Sequence, residues 1–114
     1  MPAPEIRLKA DLWVSAYINR LRLADIPAYV TRKGDPTAGT VLVKVALLDG
    51  TARAYERGYD LATGARTWRL MTQGPEVEVD AQLARAGQRD PDLWVIELEN
   101  RAGRTLLDQD GLSS

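Results

Sequence analysis

Between Asp11 and Ala24 the sequence DLWVSAYINRLRLA spaces Asp11, Ser15, Asn19 and Arg22 by four, four and three residues. On a helix that spacing stacks them in one narrow polar stripe. Apolar residues fill most of the remaining circumference, a wider arc than a helix lying on one sheet needs. Two explanations stand: ordinary core packing with Tyr17 reaching towards solvent, or a subunit interface through Trp13, Tyr17 and Leu21. The Ile26-Pro27 step is read as the helix stop, because proline cannot continue the hydrogen-bond ladder.

Period-two patterns follow. Ala28–Arg32 reads as a short strand, and residues 34–39 as a turn or loop by composition. Thr40–Leu48 is the clearest strand, with Val41, Val43, Val45 and Leu47 on one face and Leu42, Lys44, Ala46 and Leu48 on a mixed other face. Asp49-Gly50 predicts a type I′ hairpin. Thr51–Arg57 then returns antiparallel, with Arg53, Tyr55 and Arg57 on one face. A Gly-rich connection leads to a strand over Arg66–Thr72, which Gly74-Pro75 breaks; a second helix is expected over Glu76–Arg89. Asp90-Pro91-Asp92 stops it, and Leu93–Glu99 is the last strand. The expected fold is α+β: a mostly antiparallel sheet of about five strands with two helices packed on one face, in the order α-β-β-β-β-α-β. One domain is expected over residues 1–108, with a short stretch at Arg104–Leu107 and a flexible C-terminal tail over 109–114.

Composition narrows the chemistry. The 114 residues suit a single domain, and the 27% charged residues and net charge of −1 give no global pull towards nucleic acid or anionic lipid. Cysteine and histidine are both absent. That removes disulfides, thiolate metal sites, Cys nucleophiles, the usual neutral-pH base and the commonest zinc ligand. Met1–Lys9 has no apolar secretory core, and no stretch approaches the ~20 apolar residues of a membrane helix. Cytoplasmic residence without a membrane is the expectation.

At Leu12-Trp13-Val14-Ser15-Ala16, Gly39-Thr40-Val41-Leu42-Val43-Lys44-Val45 and Asp90-Pro91-Asp92-Leu93-Trp94-Val95 the chain resembles domain-of-unknown-function family 1491, a group of short alphaproteobacterial proteins. The resemblance spans Leu8 to Asp108 and implies no activity, cofactor or catalytic residue. This chain has Gln88-Arg89 where other members more often carry an Arg-Phe-like pair.

Three groups of residues could carry chemistry. Arg53, Tyr55 and Arg57 alternate onto one strand face, with Arg66 or Arg69 beside them on the next strand. An aromatic framed by arginines suits phosphate or single-stranded nucleic acid, although a solvated sheet face is the preferred reading. From Arg20 to Arg69 there are nine Lys/Arg against five Asp/Glu, whereas Leu70–Ser114 has four against nine. Asp90, Asp92 and Glu97 are weak candidates for one divalent cation, against the plainer reading of an Asp-Pro-Asp turn. Asp80 and Glu97 would join them only if the second helix packs back over the last strand. Trp94 shares its side with Ile96 and Leu98 and reads as core, and Trp68 as an anchor at the other end. No P-loop or GxGxxG spacing occurs, and Ser15 has no neighbouring base.

The leading expectation is a small intracellular interaction or adaptor protein, homodimeric or part of a larger assembly, with no cofactor and no catalytic residues. The alternatives are a weak phosphate or single-stranded nucleic-acid binder through Arg53, Tyr55, Arg57 and Arg69, and a magnesium-assisted enzyme using Asp90, Asp92 and Glu97.

Overall fold

The computed structural model describes residues 8–109, 111 and 112. The expectations for the leader region before Leu8 and for Asp110, Ser113 and Ser114 lie outside the described residues. The elements run α1 (Ala10–Leu23), β1 (Ala28–Arg32), β2 (Val41–Ala46), β3 (Thr51–Tyr59), β4 (Arg66–Pro75), α2 (Glu76–Arg89) and β5 (Trp94–Glu99). They follow the expected α-β-β-β-β-α-β order and form an α+β domain.

The sheet order is β1-β5-β2-β3-β4. Three neighbour pairs are antiparallel, and β2 and β5 are parallel. The parallel pair arises because α2 carries the chain from the β4 edge back to the middle of the sheet, the crossover that parallel neighbours require. Central strand β2 is buried at all six positions, so both of its faces are covered. This corrects the expectation that the helices share one face: α1 and α2 lie on opposite faces. Leu42 and Ala46, on the side read as mixed, are the signal for a covered second face.

Under α1, Val43, Val45, Ile96 and Leu98 meet Trp13, Val14, Tyr17 and Leu21. Ala10, Trp13, Val14, Tyr17 and Leu21 are the buried residues of the helix, spanning roughly 100° of circumference, the width of a normal core stripe. The core on this side is completed by Leu106, Leu107 and Leu112, from a segment without regular structure that straps across the helix and sheet. Leu112, in the stretch expected to be a tail, is therefore a core residue. Under α2, Ala52 and Ala54 are small enough to let Val79 and Leu83 close onto Leu42 and Val95.

Two termination signals act differently from expectation. α1 ends at Leu23, ahead of Pro27, because Asp25 adopts a left-handed φ of 59°. The Ile26 N–H then bonds the Leu21 carbonyl and the Asp25 N–H the Arg22 carbonyl, a Schellman closure with Ile26 and Leu21 both buried. The β2–β3 turn is not type I′ at Asp49-Gly50. Its left-handed residues are Leu48 and Gly50, Leu47 N–H bonds Thr51 O, and Asp49 folds back to accept from the Thr51 N–H and hydroxyl. Asp49's carboxyl is consequently held below its ordinary pKa.

The loop over 34–39 locks three elements together. Pro36 O and Thr37 O accept the first free N–H groups of α1, at Asp11 and Ala10. Asp35 N–H bonds Asp92 O, Asp35 O accepts from the Trp94 indole at 2.7 Å, and Trp94 N–H bonds Thr40 O. Gly34 and Gly39 lie so close to Asp92 O and the Trp94 ring that neither leaves room for a Cβ. These glycines serve packing.

Candidate functional site

β3 alternates Arg53, Tyr55 and Arg57 towards the α1 face, since Tyr55 and Arg53 pair with the core residues Val43 and Val45. On the neighbouring strand Trp68 pairs with Arg57 and Arg69 with Glu56. The four residues expected to form one binding face are therefore divided. Arg69 points to the α2 face, where its Nε donates to Glu56 Oε1 at 3.1 Å. Arg66 pairs with Tyr59 and is the β4 arginine on the α1 face. Arg57 turns inward: its Cζ lies 4.9 Å from the Trp13 ring centroid and 4.5 Å from that of Trp68. The two indoles are 5.4 Å apart and Tyr17 stacks 4.9 Å from Trp13, so the guanidinium caps an aromatic cluster.

Trp13, Tyr17 and Leu21, the expected interface, belong to that interior. All three are buried by their own chain, which removes them as a contact surface. The Tyr17 hydroxyl donates to Thr105 O at 2.8 Å, and the Trp68 indole N–H donates to Leu112 O at 2.9 Å. Burial first, and then the neighbouring Tyr55, push the Tyr17 hydroxyl above its ordinary pKa, so it acts only as a neutral donor.

Beside this cluster lies a groove of about 420 Å³, with β3 and β4 on one side and the strap on the other. Tyr55, Thr67, Trp68, Arg104, Thr105 and Asp108 contribute to its walls. Gly103 holds a φ of 74° at its edge, with the Arg53 guanidinium packed against it where a side chain would stand. Periodicity cannot show Arg104 as part of a site, because the strap that brings it there has no repeat.

The second cluster lies on the α2 face. Lys44, 3% exposed on β2, places its Nζ 2.7 Å from Glu76, 2.6 Å from Asp80 and 2.9 Å from Glu97. Glu76 and Asp80 are one helical turn apart on α2, and Glu97 is the parallel-register partner of Lys44 on β5. Burial works against the lysine's charge, but the hydrogen bonds it donates to Asp80, Glu76 and Glu97 outweigh it, and the pKa rises above the ordinary lysine value. α2 does pack back to bring Asp80 to Glu97, with an ammonium between them.

The weak cation candidates do not converge. Glu97 is committed to Lys44, Asp90 Oδ1 accepts from the Asp92 N–H in a local turn, and Asp92 faces solvent. No group of three or more acidic side chains among the described residues is placed to hold a metal ion. A groove of about 330 Å³ adjoins the lysine cluster, lined by Arg32, Lys44, Asp80 and Glu97 among others; Arg32 Nη2 donates to Gly87 O at its rim. No helix among the described residues is long and apolar enough to cross a membrane.

The model of the family described as Protein of unknown function (DUF1491) matches residues 8–108. The chain belongs to this family. The crystal structure of a DUF1491 protein from Caulobacter crescentus CB15 is similar, with 42% identity and a TM-score of 0.80 over 90% of this chain and 96% of that one. An NMR structure of a DUF1491 protein from Caulobacter crescentus CB15 matches with 42% identity and a TM-score of 0.77, over 91% and 96% of the two chains. The solution structure of a protein from A. tumefaciens matches at 31% identity with a TM-score of 0.69, over 83% and 87%. No curated protein matches the chain. The DUF1491 match takes in both helices, all five strands and the strap to Asp108, so both grooves lie within the region that defines the family.

Proposed function

We propose that the chain is a small cytoplasmic interaction protein that works as a homodimer, using the outer face of α1 as its contact surface. One observation carries this reading: Leu12 is 55% exposed and Leu23 is 78% exposed. Eleven residues on a helix amount to three turns and roughly 20°, so the two leucines point the same way, opposite the buried arc. Exposed Ala16 and Asn19 lie between them.

A second copy fits this stripe. Packed antiparallel about a twofold axis, Leu12 of one copy lies over Leu23 of the other, and Ala16 over Asn19. The same arrangement opposes the helix dipoles and brings the end bearing Asp11 near the end bearing Arg20 and Arg22. A single pair of helices this short buries less than the ~1,200 Å² of a standard interface, so a micromolar dissociation constant is expected.

Sedimentation equilibrium tests the reading. The parent chain should dimerise at tens to hundreds of micromolar, roughly the range in which so small an interface saturates. The double variant Leu12→Lys, Leu23→Lys should stay monomeric with an unchanged circular dichroism spectrum. A parent chain that remains monomeric at high micromolar concentration refutes the proposal.

A further inference from the structure

The sheet ends in two edges of different quality. β1 is five residues long and loses its register with β5 between Val30 and Arg32, the short, irregular kind of edge that resists further pairing. β4 is ten residues long and, among the described residues, pairs with β3 alone. Its irregularity falls beyond Leu70, so Arg66–Leu70 keeps unbroken register against Tyr55–Tyr59. Along such a stretch, alternate N–H and C=O groups point away from β3 and offer a template for another strand.

The side chains on this edge decide which strand fits. β4 carries two arginines, Arg66 and Arg69, and no carboxylate. Trp68 and Leu70, the partners of Arg57 and Tyr55, share the α1 face, and Leu70 is 45% exposed. Arg69 stands on the other face, its side chain 63% exposed even with Glu56 bound to its Nε. A second copy pairing its own β4 here, antiparallel, would bring both Arg69 side chains to adjoining positions on one face, like charge against like. An acidic strand meets no such opposition.

We propose that the outer edge of β4, over Arg66–Leu70, binds an extended segment of a partner protein that alternates apolar and acidic residues. Its apolar side lies beside Trp68 and Leu70, and its carboxylates lie beside Arg69, with one at the end of the run near Arg66. Backbone hydrogen bonds supply most of the affinity in this mode of recognition, and the side chains supply the choice of partner. The site uses neither Leu12 nor Leu23 and stands independently of the dimer.

The experiment is an amide and indole NMR titration of the full ¹⁵N-labelled chain with a capped peptide alternating glutamate and valine. Two comparators are the same peptide with lysine in place of glutamate, and the glutamate peptide with every backbone nitrogen methylated. The glutamate peptide should shift the amides of Arg66–Leu70 and the Trp68 indole signal, and slow hydrogen exchange along β4, with a dissociation constant of about 0.1–1 mM. Each comparator should bind at least about ten-fold more weakly, because one meets like charge and the other has no N–H to donate. The double variant Arg66→Gln, Arg69→Gln should weaken the glutamate peptide about five-fold, the scale of exposed ion pairs, and narrow its lead over the lysine peptide. No change at Arg66–Leu70 up to about 1 mM overturns the proposal. So does equal binding by either comparator, or an affinity unchanged in the double variant.

Discussion

The two faces of this sheet are closed by different means. The α1 face buries large aromatic and aliphatic side chains, and two of them, Tyr17 and Trp68, tie down the strap through their polar atoms. The α2 face is thin, built on Ala52 and Ala54, and near its middle an ammonium gathers three carboxylates. The first face holds by area removed from water, which is non-directional and tolerant of detail. The second depends on a few short polar contacts that fix where α2 lies. Buried charges contribute less net stability than their geometry suggests, but they are costly to half-remove.

The sharpest break in that comparison is on the α1 side. Leu21→Ala should cost about 3 kcal/mol in urea unfolding, since Leu21 is fully buried and its neighbours come from three separate segments that cannot collapse together. A loss under 1 kcal/mol would mean the strap, helix and sheet are not one packed unit.

Lys44→Met is expected to cost less, about 2 kcal/mol, because Glu76, Asp80 and Glu97 retain side-chain exposures of 36%, 53% and 24% and can turn towards water. Its pH dependence sharpens the contrast. A lysine whose folded pKa is raised contributes stability that is fully present below its ordinary value and is lost as pH rises through the folded value. The difference between parent and variant should therefore stay flat from about pH 6 to 9, a window that lies wholly below the ordinary lysine value. A difference that vanishes within that window would show that the charge cluster does not hold α2.

Tyr17→Phe is the smallest change. It keeps the ring and removes the bond to Thr105 O, so about 1 kcal/mol is expected, with faster hydrogen exchange confined to the strap. Exchange that quickens equally on the α2 face would mean the two faces open together.

Much of the architecture is legible because side-chain alternation is local. Val43 and Val45 point to the core as their spacing requires, and α2 spans Glu76–Arg89 because Val79, Leu83 and the residues around them keep a helical period despite the strand-like EVEVD start. Placing both helices on one face failed for an equally physical reason. Lys44 makes one side of β2 look wet until Glu76, Asp80 and Glu97, from two other elements, are seen to satisfy it. The clue was present in a lone lysine on a central strand and two acids one turn apart on the next helix.

The candidate binding face was half legible. Arg53 and Tyr55 do border a groove, but register, which sequence does not state, sends Arg69 to Glu56 and sets Arg57 over Trp68. Arg104 and Thr105 arrive on a segment with no period to detect. The residues named as the contact surface of α1 are interior. Leu12 and Leu23 are its exposed leucines, while Trp13, Tyr17 and Leu21 pack in the same core as Leu106, Leu107 and Leu112 of the strap.

That cover comes from far along the chain: Tyr17 and Thr105 are 88 residues apart. During synthesis, at about 5–20 residues per second, the inner side of α1 emerges roughly 4–18 s before the segment that shields it. The inner side of α1 thus stays uncovered by the strap until nearly the whole chain has been made.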